Sequence, residues 1–367
     1  MKLSTLASNV GNLNKARVLC VGDIMLDRFV YGSVNRTSPE APVPIIRIEN
    51  EKKMLGGAGN VARNIISLGA KTILISVVGD DLVGRELTKM VGAETFIEPC
   101  LLVEAGRSST QKTRFVSGNH QLLRADIETV TPVSKQISEN LIGMVQDLLS
   151  ESDIVVISDY EKGVISPNIC KKIISCARKD GKTIIVDPKG ADFSLYKNCD
   201  IITPNRNELA LATGNQVESS EEIVVAASKL MKELNISKTL VTRSAEGISL
   251  IGHNGEKIHF PAQAREVYDV SGAGDTVVAT LAASLGSGLT LNDSAALANT
   301  AAGVVVSKPG TAVVEAPELF HALRANDLTD AEAKIVPTSS AILTVQNWRK
   351  SGYKIGFTNG CFDILHK

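Results

Sequence analysis

Short runs of β-branched residues alternate with amphipathic or alanine-rich stretches from Arg17 to about Ala325. The apolar runs at Val18–Val21, Ile73–Val78, Ile154–Ser158, Thr183–Val186, Ile201–Thr203, Leu240–Thr242 and Ile248–Ile251 are short and bounded by turn residues, and they predict strands. Between several of them, Asn60–Leu68, Lys135–Leu149 and Glu221–Glu233 carry the 3.6-residue spacing of helices. Strands that are apolar on both faces and alternate with helices predict an α/β fold, with a parallel sheet covered on both sides. Two segments break this rhythm. Residues 29–49 are rich in proline and β-formers, and residues 111–124 alternate polar with apolar positions. Half-buried strands of that kind predict a small β-layer standing off the main sheet as a lid. The pattern dissolves near Asn326, and polar and small residues then run through Pro337-Thr-Ser-Ser340. The expected division is an α/β unit over 1–328, a connector over 329–342 and the start of another α/β unit over 343–367.

Composition narrows the function. Lys and Arg total 39 against 40 Asp and Glu, a net charge of −1, whereas a nucleic-acid protein carries a basic excess. No apolar run approaches the ~18 residues of a membrane span, and the N-terminus lacks a signal-peptide core, so a cytoplasmic location is expected. Six cysteines show no C-x-x-C, and the histidines no H-x-x-x-H, which argues against disulfides and a protein-ligated zinc.

Four motifs can carry chemistry. In Asp269-Val-Ser-Gly-Ala-Gly-Asp275, Gly272, Ala273 and Gly274 open a helix whose free N–H groups favour an anion, and Asp275 falls in its first turn, where a general base could sit. Alternatively the motif is a glycine turn with a capping acid. Gly56-Gly57-Ala58-Gly59-Asn60 permits a close approach of a polyol to backbone, with the Asn60 amide offered to sugar hydroxyls. The same stretch satisfies a dinucleotide fingerprint through Ala62, with Asp80 downstream, but polar residues stand where that fingerprint needs a buried strand. Asp23 and Asp27 follow the first strand, where ligands of α/β sheets gather, and suit vicinal hydroxyls. In Asn205-Arg206-Asn207-Glu208, Asn205 and Glu208 suit Mg²⁺ held through waters, or a capping box, or both. No Walker A loop and no nucleophile elbow occurs.

Taken together, these motifs resemble those of the ribokinase-type (PfkB) carbohydrate kinases: Gly56–Asn60 continuing to Gly69 and Gly79, the N-x-x-E run Asn205–Glu208, and Asp269–Asp275. The resemblance implies a three-layer α/β/α sandwich with a β lid, ATP as donor, Mg²⁺, a base at Asp275, and an anion hole at Ala273 and Gly274. It further implies nucleotide contacts at Thr242, Ser244 and Gly247, and Asn299 beside the adenine. Within the family, Ser38–Pro44, Gln121–Asp126, Ser158–Gly163 and Val186–Gly190 resemble the heptose 7-phosphate kinases of ADP-heptose synthesis for the lipopolysaccharide core. Phe357–His366 resembles the opening of a cytidylyltransferase-like nucleotidyltransferase; of that superfamily's H-x-G-H this sequence holds only His366, so kinase activity without adenylyl transfer is expected.

A phosphorylated sugar needs cations, and Lys112, Arg114, Arg124, Lys162 and Lys189 are the candidates for its phosphate. The apolar run Val43–Ile48 predicts a homodimer joined through the lid. Open alternatives are a kinase for another sugar, an NAD-dependent dehydrogenase built on Gly57–Ala62, and a nucleotide-binding regulatory module.

Overall fold

The computed structural model describes residues 6–118, 120–263, 267–308 and 310–329, and a few isolated positions beyond. The expected connector and the segment after it, His366 included, lie almost wholly outside the described residues. The main sheet is built from β1 (Arg17–Gly22), β4 (Lys71–Gly79), β5 (Ile97–Glu104), β8 (Ile154–Ser158), β9 (Thr183–Asp187), β10 (Ile201–Ile202), β11 (Lys238–Thr242), β12 (Ile248–Gly252) and β13 (Lys257–Phe260). Its order is β13-β12-β11-β10-β9-β8-β1-β4-β5. The lid is a second sheet, ordered β3-β2-β6-β7, from β2 (Ile24–Thr37), β3 (Pro44–Gly57), β6 (Gln111–Ser117) and β7 (His120–Ile127). Nine α-helices are seen among the described residues: α1 (Ala58–Ser67), α2 (Leu82–Gly92), α3 (Lys135–Leu148), α4 (Pro167–Lys179), α5 (Arg206–Thr213), α6 (Ser220–Leu234), α7 (Ala273–Gly286), α8 (Leu291–Val305) and α9 (Ala316–Thr329).

The period-2 geometry of a strand sorts each apolar run onto two faces. Val18 and Cys20 pack with α1, α7, α8 and α9 on one side, while Leu19 and Val21 pack with α3, α4 and α6 on the other. The same split places Ile154 and Val156 opposite Val155 and Ile157. Every residue of α7 from Asp275 to Ser284 is buried, which is why this helix is apolar or small on all sides.

Two sequence expectations need correction. The sheet is parallel only as far as β11; β12 and β13 pair antiparallel at its edge. A parallel return would need a crossover of a dozen residues or more, whereas five residues join Thr242 to Ile248. The lid also begins earlier and ends later than expected, at 24–57 and 111–127; it begins early because a single residue, Asp23, separates β1 from β2. The edge strand β5 escapes the apolar pattern, since it is only partly buried and interrupted by Pro99.

At the junction of the two sheets Gly22 lies opposite Ser158, and a Cβ at Gly22 would run into the Ser158 carbonyl. The two central strands have nowhere to yield. Gly22→Ala is expected to destabilise the fold by about 3 kcal/mol, the upper part of the range for overpacking a core. The measurement is a fall in the denaturant midpoint at unchanged slope.

Candidate active site

A cleft of about 400 Å³ opens between the lid and the carboxyl ends of the central strands. Its floor is the start of α7. Gly272 sits in the left-handed region at φ 79° and faces the Asn60 amide, so both conformation and space call for glycine there. The turn delivers Asp275 to the cleft as a buried carboxylate. Asn60 Nδ2 donates to its Oδ2 at 2.5 Å, and the Tyr160 hydroxyl donates to its Oδ1. Burial pushes the Asp275 carboxyl up to about 6, and the Asp27 charge acts in the same direction. The two hydrogen bonds and Lys112 oppose that rise. At neutral pH the group is therefore ionised yet close enough to its titration to take a proton. Asn60, which the sequence points at sugar hydroxyls, instead commits its amide to the acid. Of the expected anion-hole groups, Gly274 lines the cleft, while the Ala273 N–H reaches back to the Val270 carbonyl at 3.3 Å.

The two acids after the first strand part company. Asp27, on β2, lines the cleft and pairs with Arg114 at 2.5 Å; Gly56 makes room, since a Cβ there would strike the Asp27 carboxylate. Gly57, at φ 57°, lines the cleft beside them. Asp23 requires a correction. Its carboxylate is buried and accepts the backbone N–H groups of Tyr160, Lys162 and Val164 at 2.8, 3.1 and 3.0 Å. It holds the loop after β8 rather than facing the cleft. Burial nonetheless raises its carboxyl above the ordinary value against the pull of those three donors.

The five candidate phosphate-binding cations also divide. Arg114 is held by Asp27 and rests over the Phe29 ring at 5.0 Å. Lys162 pairs with Glu128 at 2.9 Å, Arg124 with Asp126 at 3.1 Å, and Lys189 with Glu208 at 2.7 Å. Arg124 and Lys162 do not line the main cleft. Lys112 does, and among the described residues it forms no ion pair within 4 Å; burial lowers its ammonium below the ordinary value.

The cleft is also lined by Asp187, Lys189, Thr203, Asn205, Glu208 and Thr242. Asn205 and Glu208 form a complete capping box at the start of α5, each side chain accepting the other's backbone N–H at 2.9 Å. A backbone bridge from Asn205 to Thr242 brings Thr242 alongside. Asp187, absent from the sequence candidates, is the last residue of β9 and opens Asp187-Pro188-Lys189. The strand-end reasoning applied to Asp23 would have found it. Burial, Asp275 and Glu208 all push its carboxyl well above the ordinary range, and its partner is the Thr203 hydroxyl at 3.2 Å. Two acids that share a single nearby cation, Lys189, fit a hydrated divalent cation arriving with nucleotide phosphates. No trio of His, Cys, Asp or Glu spaced for direct ligation occurs among the described residues.

The remaining candidates do not line the cleft. Ser244 and Gly247 make the left-handed turn into β12, at φ 52° and 93°. Asn299 is buried on α8, away from the cleft, and donates to the Pro261 carbonyl at 2.8 Å. Arg206 is held by Glu246, and Asn207 faces solvent. The dinucleotide alternative fails on geometry: the strand before Gly57 is the largely exposed lid strand β3, paired antiparallel to β2, and Asp80 is tied to Arg85 at 3.0 Å.

If Asp275 takes the proton of an attacking hydroxyl, Asp275→Asn keeps the shape and loses the function. The expected loss in kcat is about 10²–10⁴-fold, with nucleotide affinity nearly unchanged. Steady-state kinetics and nucleotide titration check it.

A family model described as pfkB family carbohydrate kinase matches residues 15–318. Bifunctional protein HldE of Paramagnetospirillum magneticum is 53% identical over 365 residues, covering 100% of this chain and 75% of that protein. The protein of the same name from Rhodospirillum rubrum is 46% identical, covering 98% and 73%. Among solved structures, Arabidopsis thaliana ribokinase complexed with ribose and ATP superposes with a TM-score of 0.66 at 20% identity, over 84% of this chain and 99% of that one. Escherichia coli phosphofructokinase-2 with substrates and products does so with 0.70 at 18% identity, over 84% and 98%. The structural likenesses establish a ribokinase-like α/β fold, and the family model and the near-full-length relatives place the chain in the pfkB family of carbohydrate kinases.

Proposed function

We propose that this sugar kinase transfers the γ-phosphoryl group of ATP to the C1 hydroxyl of D-glycero-β-D-manno-heptose 7-phosphate, giving the 1,7-bisphosphate of ADP-heptose synthesis. The observation that carries the reading is one cleft with an ionised, buried Asp275 at a helix N-terminus and, on the lid side, Lys112, which has no ion pair among the described residues. A substrate that is both a polyol and a phosphomonoester matches that pairing. Asp275 takes the C1 hydroxyl proton as the oxygen attacks the γ-phosphorus, and the start of α7 faces the charge that builds on the transferring group. Asp27, fixed by Arg114, orients the sugar hydroxyls, and Lys112 takes the 7-phosphate. Asn205 and Glu208, joined by Asp187, would hold Mg²⁺ through waters, and the ion would neutralise charge on the β- and γ-phosphates. Lys189, which pairs with Glu208, and Thr242 line the same cleft and would face the nucleotide phosphates.

The reading keeps the division into a kinase unit over 1–328, a connector and a nucleotidyltransferase segment from 343, and places the reaction in the cytoplasm, where ATP is available. Among the described residues no helix is long and apolar enough to cross a membrane. It also includes a homodimer through the lid. β7 is exposed along its whole length, with Leu123 at 59% and Ile127 at 54%, and Ile48 on β3 reaches 60%. An open strand edge with apolar side chains is a template for a second copy. Light scattering at micromolar concentration should give twice the chain mass, and a monomeric mass would contradict the dimer.

The substrate is tested by ADP release with a panel of heptose 7-phosphate, fructose 6-phosphate and ribose. Heptose 7-phosphate should give the highest kcat/KM. Losing one charge-assisted contact of about 1.5–3 kcal/mol, Lys112→Ala should raise KM for heptose 7-phosphate by roughly tenfold to a hundredfold and leave KM for ATP unchanged. Equal effects on both substrates would remove Lys112 from the sugar-phosphate site.

A further inference from the structure

We infer that Tyr160 is a positioning residue for the base: with Asn60 it clamps the Asp275 carboxylate from both sides and keeps it aimed and ionised in the free enzyme. The inference rests on the reading of Asp275 as the proton acceptor.

The sequence marks Tyr160 only as part of a resembling stretch. The structure brings its hydroxyl onto Asp275 Oδ1, while Asn60 Nδ2 occupies Oδ2 at 2.5 Å. Each carboxylate oxygen keeps a second lone pair for an incoming hydroxyl, so the clamp restricts rotation without closing the base. The platform behind Tyr160 is unusually fixed. The Tyr160, Lys162 and Val164 N–H groups end on Asp23. Asp159, one residue before, accepts from the Tyr196 hydroxyl at 2.7 Å and from the Glu161 N–H at 2.7 Å. Its own N–H donates to the Asp187 carbonyl at 3.1 Å. A phenol on such a mount is preorganised rather than recruited.

Tyr160 acts only as a donor. Burial, together with the charges of Asp275 and Asp187, raises its hydroxyl well above the ordinary tyrosine value, so it stays protonated wherever the enzyme works. The groups facing Asp275 come from several elements: Asp27 from β2, Lys112 from β6, Asp187 from β9 and Cys20 from β1. Asp27 raises the acid and Lys112 lowers it, while Cys20, pushed up by its own burial, stays neutral. Among these influences the Tyr160 bond favours the charged carboxylate. The sign follows directly: removing the hydroxyl raises the pKa of the base and moves the acid limb of activity to higher pH.

The experiment is the pH profile of kcat/KM, which reports groups of the free enzyme, with Asp275→Asn as reference. For the unaltered protein, kcat/KM should fall as pH drops through about 6. In Tyr160→Phe the midpoint of that limb should rise by about one pH unit, the scale of one hydrogen bond to a charged group. The plateau at high pH should fall much less than in Asp275→Asn. Incorporating 3-fluorotyrosine at position 160, a stronger donor of nearly the same size, should move the limb to lower pH. A limb unmoved by both changes, with Asp275→Asn inactive, overturns the role of Tyr160 while leaving the base in place. Should Asp275→Asn retain more than about a tenth of the activity, outside the range for general-base loss, the reading of the base fails instead. Should Tyr160→Phe not fold, the fluorotyrosine shift decides alone.

Discussion

Asp23 sits where four parts of the molecule meet, and its hydrogen bonds explain why the cleft has one shape. Its N–H donates to the Ser158 carbonyl at 3.2 Å, and its carbonyl accepts from Ala58 at the start of α1 at 3.0 Å. Its carboxylate collects the three N–H groups of the loop after β8. Main sheet, lid, helix and loop are thus fastened at a single residue between β1 and β2. A buried carboxylate would be costly without such donors; with them it is tolerated, and the loop's backbone groups are satisfied together. The positions of Tyr160 and Asp187 relative to Asp275 follow from this fastening, because Asp159 links the loop directly to the end of β9.

The second constraint is charge. Asp27, Asp159, Asp187, Glu208 and Asp275 line one cleft with Lys112, Arg114 and Lys189. Arg114 and Lys189 already serve Asp27 and Glu208. What remains is negative charge at the strand ends and positive charge on the lid, a polarity across the space where a reactant would lie. Phosphoryl transfer is governed by how such charge is arranged; burial first, and neighbouring acids second, raise the carboxyls of Asp187 and Asp275.

The central strands, α1, α3, α6 and the Asp275 turn were legible in the sequence because each rests on local pattern: apolar runs, helical spacing, glycines before an acid. The edge hairpin was not, since the orientation of β12 depends on connection length rather than on its own residues. The site divided the same way. Asp275, Asn205, Glu208, Asp27 and Gly57 announced themselves through motif or strand-end position and do converge on the cleft. Asp23 and Asn60 carry the same residue types yet serve the site from behind, and sequence position cannot say which way a side chain turns once a strand bends into a lid. Of the five cations, sequence offered no ranking; the ion pairs of four of them supply it.

β2 and β3 run together for 14 residues each, buried at Met25, Leu26 and Leu55–Gly57 and increasingly exposed toward Thr37 and Pro44. At about 3.3 Å per residue such a ribbon is roughly 45 Å long, rooted in the core at one end only. Mechanically it is a lever. A rotation of about 5° at the root carries the tip about 4 Å, by the same rise per residue, while Asp27, one turn of the pleat from the pivot, scarcely moves. The register shifts at Tyr31/Gly32 and Val34/Arg36 bend the outer half away from the inner. Large excursions of the far end are therefore compatible with the Asp27 end of the ribbon held nearly still.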